Sequence, residues 1–190
     1  MEHIYCHFEP VQEKEVKQLA DILNYYVLYT TASLQTRPLD YTAMHKRLFF
    51  PSPDYKSFTI SVEGQLAGYC SLEPWSLAEP FSATGYLNIF LEKDLRGKGI
   101  GMQAIRFLEE WALAHEICNL ISSCCTENYP AISLSRKAGF VRCGHFSRIG
   151  RKLDRQLDIA WFQKSFTLPK TVKIVESDSH PSVASASDES

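Results

Sequence analysis

Leu91-Glu92-Lys93-Asp94-Leu95-Arg96-Gly97-Lys98-Gly99-Ile100-Gly101 organises the reading of the chain around it. Tyr86 to Leu91 before it reads as a strand, and Ala104, Ile105, Leu108, Trp111 and Ala112 after it recur at helical spacing. A glycine-rich loop thus joins a strand to a helix starting near Ile100. Glycines let the backbone approach a ligand closely, and the N–H groups opening the helix form an anion site reinforced by the helix dipole. Arg96 and Lys98 add positive charge, so the natural guest is a phosphate or pyrophosphate. The same spacing also suits a tight turn with no ligand. A nucleotide P-loop would end Gly-Lys-Ser or Gly-Lys-Thr, whereas Gly101 leads into Met102. A dinucleotide loop needs a different last glycine gap and an acid ending the next strand; Ser122-Ser123-Cys124-Cys125 offers none before Glu127.

Outward from this segment the elements alternate. On the N-terminal side, Ile4 to Phe8 suits a short strand, and Val16, Leu19, Ala20, Leu23 and Val27 mark a helix within residues 11–28. Asp40 is a candidate N-cap for a short helix to about Leu48, which Pro51 and Pro53 end. Residues 57–62 alternate at period two, Glu63-Gly64-Gln65 turns, and residues 66–71 return as a hairpin partner. On the C-terminal side follow a strand at 120–124, a helix at 131–137, and strands at 140–146 and 157–166. Antiparallel strands first and strand–helix–strand units later predict an α/β (α+β) sheet with helices packed against it.

Composition narrows the function. The chain has 190 residues, 45% hydrophobic and 22% charged, which suits one globular domain and excludes a mainly disordered or collagen-like chain. A net charge of −2 gives no global sign of nucleic-acid or acidic-membrane binding. No apolar run approaches the roughly 20 residues that span a bilayer. Met1-Glu2-His3-Ile4-Tyr5 lacks a signal-peptide pattern, so a cytoplasmic protein is expected. Cys6, Cys70, Cys118, Cys124, Cys125 and Cys143 form no C-x-x-C pair, so buried reduced thiols are expected rather than a metal site. Cys124 and Cys125 should point to opposite faces of their strand. Residues 170–190 are Ser-rich and acidic and read as a disordered tail, leaving residues 1–169 as the domain.

Arg96-x-x-Gly99-x-Gly101, after a strand and opening a helix, resembles the acyl-CoA pyrophosphate loop of the GNAT acetyltransferase superfamily. Glu127-Asn128 before a helix and Leu134-x-x-Lys137-Ala138-Gly139-Phe140 after it match the second half of that cofactor signature. The chain is similar in particular to the phosphinothricin and methionine-sulfoximine amino-acid N-acetyltransferases. That likeness rests on Tyr29-Thr30-Thr31-Ala32-Ser33, Pro74-Trp75, Gly144-x-Phe146-Ser147, Gly150-x-Lys152 and Leu157-Asp158, and covers roughly residues 3–167. It implies a GNAT-like mixed, mainly antiparallel sheet flanked by helices, and acetyl-CoA as co-substrate with no metal. The implied acceptor is a small-molecule amine, with neither nucleic acid nor membrane as partner and a homodimer as the possible assembly. Backbone groups of Ile89, Phe90 and Leu91 would hold the acetyl and pantetheine end, with an N–H polarising the thioester carbonyl. Arg96, Gly97, Lys98, Gly99, Ile100 and Gly101 would hold the pyrophosphate, Asn128 would bond the pantetheine arm, and Lys137 would lie along the cofactor. Segment 136–155 holds seven basic residues against one acid, Asp154, and suits either a solvated basic face or help in holding the anionic cofactor.

The chain departs from its branch at the catalytic positions. Where the branch carries a glutamate base, this sequence has Tyr86, and a phenol is a poor base near neutrality. Where relatives place a tyrosine or histidine to protonate the leaving thiolate, this sequence has Ser135. Glu73, read as a loop residue before Pro74-Trp75, is the nearest substitute carboxylate. Thr31, Leu34, Trp75 and Tyr86 are the candidate substrate contacts, and Leu34 and Gln156 stand where the branch has aromatics. Three readings follow: an acetyltransferase for a small amine, a CoA-binding module without chemistry, and a protein acetyltransferase using the acidic tail.

Overall fold

A computed structural model describes residues 4–167. Seven strands, β1 (Cys6–Pro10), β2 (Lys56–Val62), β3 (Gln65–Pro74), β4 (Thr84–Leu91), β5 (Asn119–Cys125), β6 (Val141–Lys152) and β7 (Arg155–Ser165), form one sheet. Four helices, α1 (Val16–Tyr29), α2 (Tyr41–Leu48), α3 (Ile100–Ala114) and α4 (Tyr129–Lys137), cover it. The strand order is β1-β2-β3-β4-β5-β7-β6, and β4–β5 is the parallel pair in an otherwise antiparallel sheet. This is the mixed, mainly antiparallel architecture expected, with each expected element in place.

Two layers of helix bury the two faces. Leu72, Leu87, Leu120 and Phe162 pack under α3 and α4 with Ile100, Ala104, Ile105 and Leu108. Tyr69 and Phe90, on the opposite face, pack under α1 and α2 with Leu19, Leu23, Tyr26, Met44 and Leu48. Cys124 joins the first core and Cys125 a smaller cluster with Leu157 and Ile159, the opposite-face arrangement that strand pleating requires. All six thiols are free; Cys70, Cys124 and Cys125 are buried, but Cys6 and Cys118 are half-buried and Cys143 exposed, which corrects the expectation of burial at those three positions.

Local chemistry sets the boundaries. Asp40 caps α2 by accepting from the Ala43 N–H at 2.8 Å. The β2–β3 hairpin closes through Glu63 and Gly64, both at positive φ (51° and 75°), the twist a two-residue hairpin prefers. α1 begins at Val16 rather than near Val11, because a 3-10 turn, Glu13–Glu15, precedes it and Gln12 N–H donates to the Glu15 carboxylate. β6 runs to Lys152, past the expected Phe146, because irregularities in its ladder break the alternation that sequence reading follows. In one of them Arg148 takes φ 54°, with its N–H donating to Asp158 Oδ1 at 2.8 Å. The stretch 170–190 lies outside the described residues.

Candidate active site

The parallel ladder between β4 and β5 stops early. Thr84, Gly85 and Tyr86 pair with Asn119, Leu120 and Ile121, and beyond them the two strands part while β4 runs on to Leu91 and β5 to Cys125. Along that gap the backbone of 87–91 has no strand partner on the β5 side. The side chains of Ile89 and Phe90 are held in the two cores, Ile89 toward α3 and Phe90 toward α1, which leaves their peptide groups as what the cleft presents. Unpaired backbone groups of this kind call for a polar partner.

The glycine loop begins where β4 ends. Lys93–Leu95 form a 3-10 turn, and Gly97 and Gly99 follow at φ 77° and 85°. Gly99 is the N-cap of α3 in the left-handed region, so no side chain there occupies the helix mouth. A Cβ at either glycine would meet nothing within 4 Å. Gly101 differs: a Cβ there would stand 2.9 Å from Leu134 Cδ2, so its smallness serves the approach of α3 to α4. Arg96 is braced by its Nε–H on Lys93 O at 2.9 Å and by the Tyr26 ring 5.9 Å away, while Lys98 is exposed. Open space, free N–H groups and two cations fit a pyrophosphate.

On the far side of this gap, α4 is N-capped by Asn128, whose Oδ1 accepts from the Ala131 N–H at 3.2 Å. Asn128 is thus committed to capping through its oxygen, leaving the amide nitrogen for a ligand. Ser135 is half-buried on α4, and Lys137 is exposed at its last residue.

The face beneath α1 and α2 carries the polar cluster. Glu73 lies in β3 directly across from Tyr86 in β4, a strand position rather than the loop expected of it. Its Oε1 accepts from Asn88 Nδ2 at 2.8 Å and Ser71 Oγ at 3.2 Å, with Arg47 Nη2 from α2 at 3.5 Å. Burial raises its pKa above the ordinary carboxylate value, opposed by Arg47 and the two hydrogen bonds. The Tyr86 hydroxyl lies 2.7 Å from Ser123 Oγ, and burial pushes the phenol up, against the pull of that hydrogen bond. Tyr86 therefore keeps its proton at neutral pH. Trp75 stacks on Tyr86 at 6.1 Å, and Trp161 meets Trp75 edge-on at 5.2 Å, so three aromatics wall this end of the cluster. Thr31 is half-buried and Leu34 exposed in the α1–α2 loop.

Arg47, Asn88, Ser123 and Trp161 escape sequence reading. Asn88 and Tyr86 share a strand face by the period of two, and that was the available signal; the other three come from α2, β5 and β7 and meet only through the topology. The basic segment is not uniformly solvated. Arg151 pairs with Asp154 and Arg155 with Glu127, but Lys152 is buried. A separate cavity of about 250 Å³, lined by Arg136, Arg142, His145 and Asp158 among others, lies between α4 and the β6–β7 hairpin and is not the β4–β5 cleft. Among the described residues no group of three or more His, Cys, Asp or Glu could hold a metal, and no helix is long and apolar enough to cross a membrane.

A strand-parted sheet with a glycine loop at the helix mouth is the build of an acyl-CoA-dependent acetyltransferase, and the family model described as Acetyltransferase (GNAT) family matches residues 19–140. The chain belongs to that family. It is similar to an L-methionine sulfoximine/L-methionine sulfone acetyltransferase of Pseudomonas aeruginosa, at 29% identity over 160 residues covering 80% of this chain and 92% of the relative. A phosphinothricin N-acetyltransferase of Streptomyces coelicolor is 23% identical over 161 residues, covering 82% and 93%. Among solved structures, a ribosomal-protein-alanine N-acetyltransferase from Brucella melitensis superposes with TM-score 0.79 at 28% identity, over 84% of this chain and 99% of that one. A phosphinothricin acetyltransferase from Sinorhizobium meliloti in complex with AcCoA shares the fold, with TM-score 0.80 at 21% identity, over 89% and 96%. The protein is thus a GNAT acetyltransferase related to amino-acid and phosphinothricin N-acetyltransferases.

Proposed function

We propose that this enzyme transfers acetyl from acetyl-CoA to the primary amine of a small molecule, an amino acid or a phosphinothricin-like compound. The observation that carries this is the parted β4–β5 cleft beside the Gly97–Gly99 loop, with a half-buried carboxylate on the neighbouring strand. Acetyl-CoA supplies the activated carbonyl. Arg96, Gly97, Lys98, Gly99, Ile100 and Gly101 hold its pyrophosphate, Asn128 and Lys137 flank its arm, and the backbone of Ile89, Phe90 and Leu91 orients the thioester. Glu73 takes the proton of the bound ammonium, directly or through one water. The freed nitrogen attacks the carbonyl carbon and a C–N bond forms; the C–S bond breaks with its electron pair leaving on sulfur, and the second nitrogen proton passes to that thiolate to give the free thiol. Ser135 is the candidate group beside the leaving sulfur. Thr31, Leu34, Trp75 and Tyr86 shape the acceptor pocket, with Tyr86 as a wall rather than a base. Orientation of the two reactants supplies much of the rate.

The likeness to amino-acid and phosphinothricin acetyltransferases supports a small acceptor; a homodimer in the cytoplasm is the possible assembly, which light scattering tests. Mass-spectrometric turnover with acetyl-CoA and a panel of amino acids, phosphinothricin, methionine sulfone and polyamines tests the reaction. The expected result is an N-acetylated amino acid or phosphinothricin. Saturable acetyl-CoA binding without any product would replace this reading with that of a CoA-binding module.

A further inference from the structure

Lys152 and Tyr26 lie outside the chemistry just described, yet they join its two halves. Lys152, the last residue of β6, is only 5% exposed. Its Nζ donates to Ser33 O at 2.7 Å and to Tyr26 O at 3.2 Å, and no carboxylate pairs with it among the described residues. A buried ammonium is costly unless its N–H groups are bonded. Tyr26 O belongs to the last turn of α1, where carbonyls run short of helical partners and the dipole favours a cation. Thr30 Oγ also donates to Tyr26 O at 3.0 Å and accepts from the Ala32 N–H at 3.1 Å, so the start of the α1–α2 loop is gathered on the same point.

At its other end Tyr26 reaches the cofactor side. Its hydroxyl donates to Leu91 O at the end of β4, its ring lies 5.6 Å from Phe90, and the Arg96 guanidinium stands over it. A pocket of about 260 Å³, open to solvent and lined by Leu28, Thr36, Arg151, Lys152 and Leu153, lies between the hairpin tip and the end of α1. Beside it the two lysine hydrogen bonds join the end of β6 to the end of α1 and to Ser33.

We propose that Tyr26 and Lys152 are positioning residues that tie the α1–α2 loop to the glycine loop, so that binding of acetyl-CoA sets the acceptor side of the pocket. The tie rests on the acetyltransferase reading above. It makes the two binding events energetically coupled and reciprocal, with Tyr26 as the shared part.

Hydrogen exchange of the full chain, with and without saturating acetyl-CoA, tests it. In the unmodified protein acetyl-CoA should slow exchange in 92–101 and also in 30–36. Tyr26→Phe keeps the ring and loses the bond to Leu91 O; Lys152→Met loses both carbonyl bonds. Each should retain protection at 92–101 and lose it at 30–36, with acceptor KM raised about fivefold and kcat held within about threefold, the split expected of lost positioning. Lys152→Arg should restore part of the effect. Should Lys152→Met fail to fold, Tyr26→Phe decides alone. Protection at 30–36 that survives in the folded variants, or that is absent in a parent protein protected at 92–101, overturns the tie. No protection at 92–101 in the parent protein overturns the cofactor reading and the tie with it.

Discussion

Glu73 and Tyr86 face each other across β3 and β4, and burial raises the pKa of both with opposite consequences. A carboxyl moved up from the acid range approaches the pH at which a base works best, whereas a phenol moved up is further out of use. Glu73→Gln should lower kcat by about 10²-fold with acetyl-CoA affinity intact, the size of a lost general base. It should also erase an acid limb in kcat/KM whose midpoint lies above the ordinary glutamate value. The same shift has a stability sign. The folded protein binds this proton more tightly than the unfolded chain, so stability falls as pH rises from the ordinary value through the folded one. Urea unfolding across that window should show the fall in the parent protein and not in Glu73→Gln. Tyr86→Phe forfeits the Ser123 hydrogen bond, worth about 1 kcal/mol, and should cost less than about tenfold in kcat. At this scale the sequence was half legible. The candidate loop and Glu73 could be picked out along the chain, but the placing of Glu73 across from Tyr86 depends on cross-strand register, which no linear pattern records.

The glycine loop divides its labour between two elements. Gly99 leaves room at the mouth of α3, and Gly101 lets α3 meet α4 at Leu134. Gly99→Trp should abolish acetyl-CoA binding by filling the helix mouth. Gly99→Ala, which puts a side chain at φ 85° at a cost of about 1–2 kcal/mol, should weaken binding without abolishing it. Calorimetric titration of both variants separates filling from strain. Gly101→Ala should act first on stability, by about 1 kcal/mol, because Leu134 must give way. Elements such as β2 and α3 were readable along the chain, whereas β3, buried on both faces over 67–72, runs on to Pro74 beyond its expected end. α1 was readable in its stripe but not in Ile22 and Tyr26, which complete its buried face, and β6 outran its pattern where Asp158 holds the irregular turn at Arg148.

Across the whole molecule the sheet is guarded at both rims. β1 is short, and β6 at the other edge is kinked and carries arginines, devices that discourage pairing with another chain. The strand order itself was not legible, because nothing local tells β7 to slip between β5 and β6. Removal of residues 170–190 should leave turnover on small amines within about twofold; a matched assay of the full and shortened chains checks it. The parting of β4 from β5 puts an unfinished seam inside the sheet rather than at its border. On the proposed function, a bound substrate arm with amide groups would complete that seam as a missing strand would. The ligand is then a piece of the architecture, and at one hundred times its Kd it adds about 2.7 kcal/mol to the folded state. On the same reading, the protein without CoA would be the form whose vulnerable line runs through its centre.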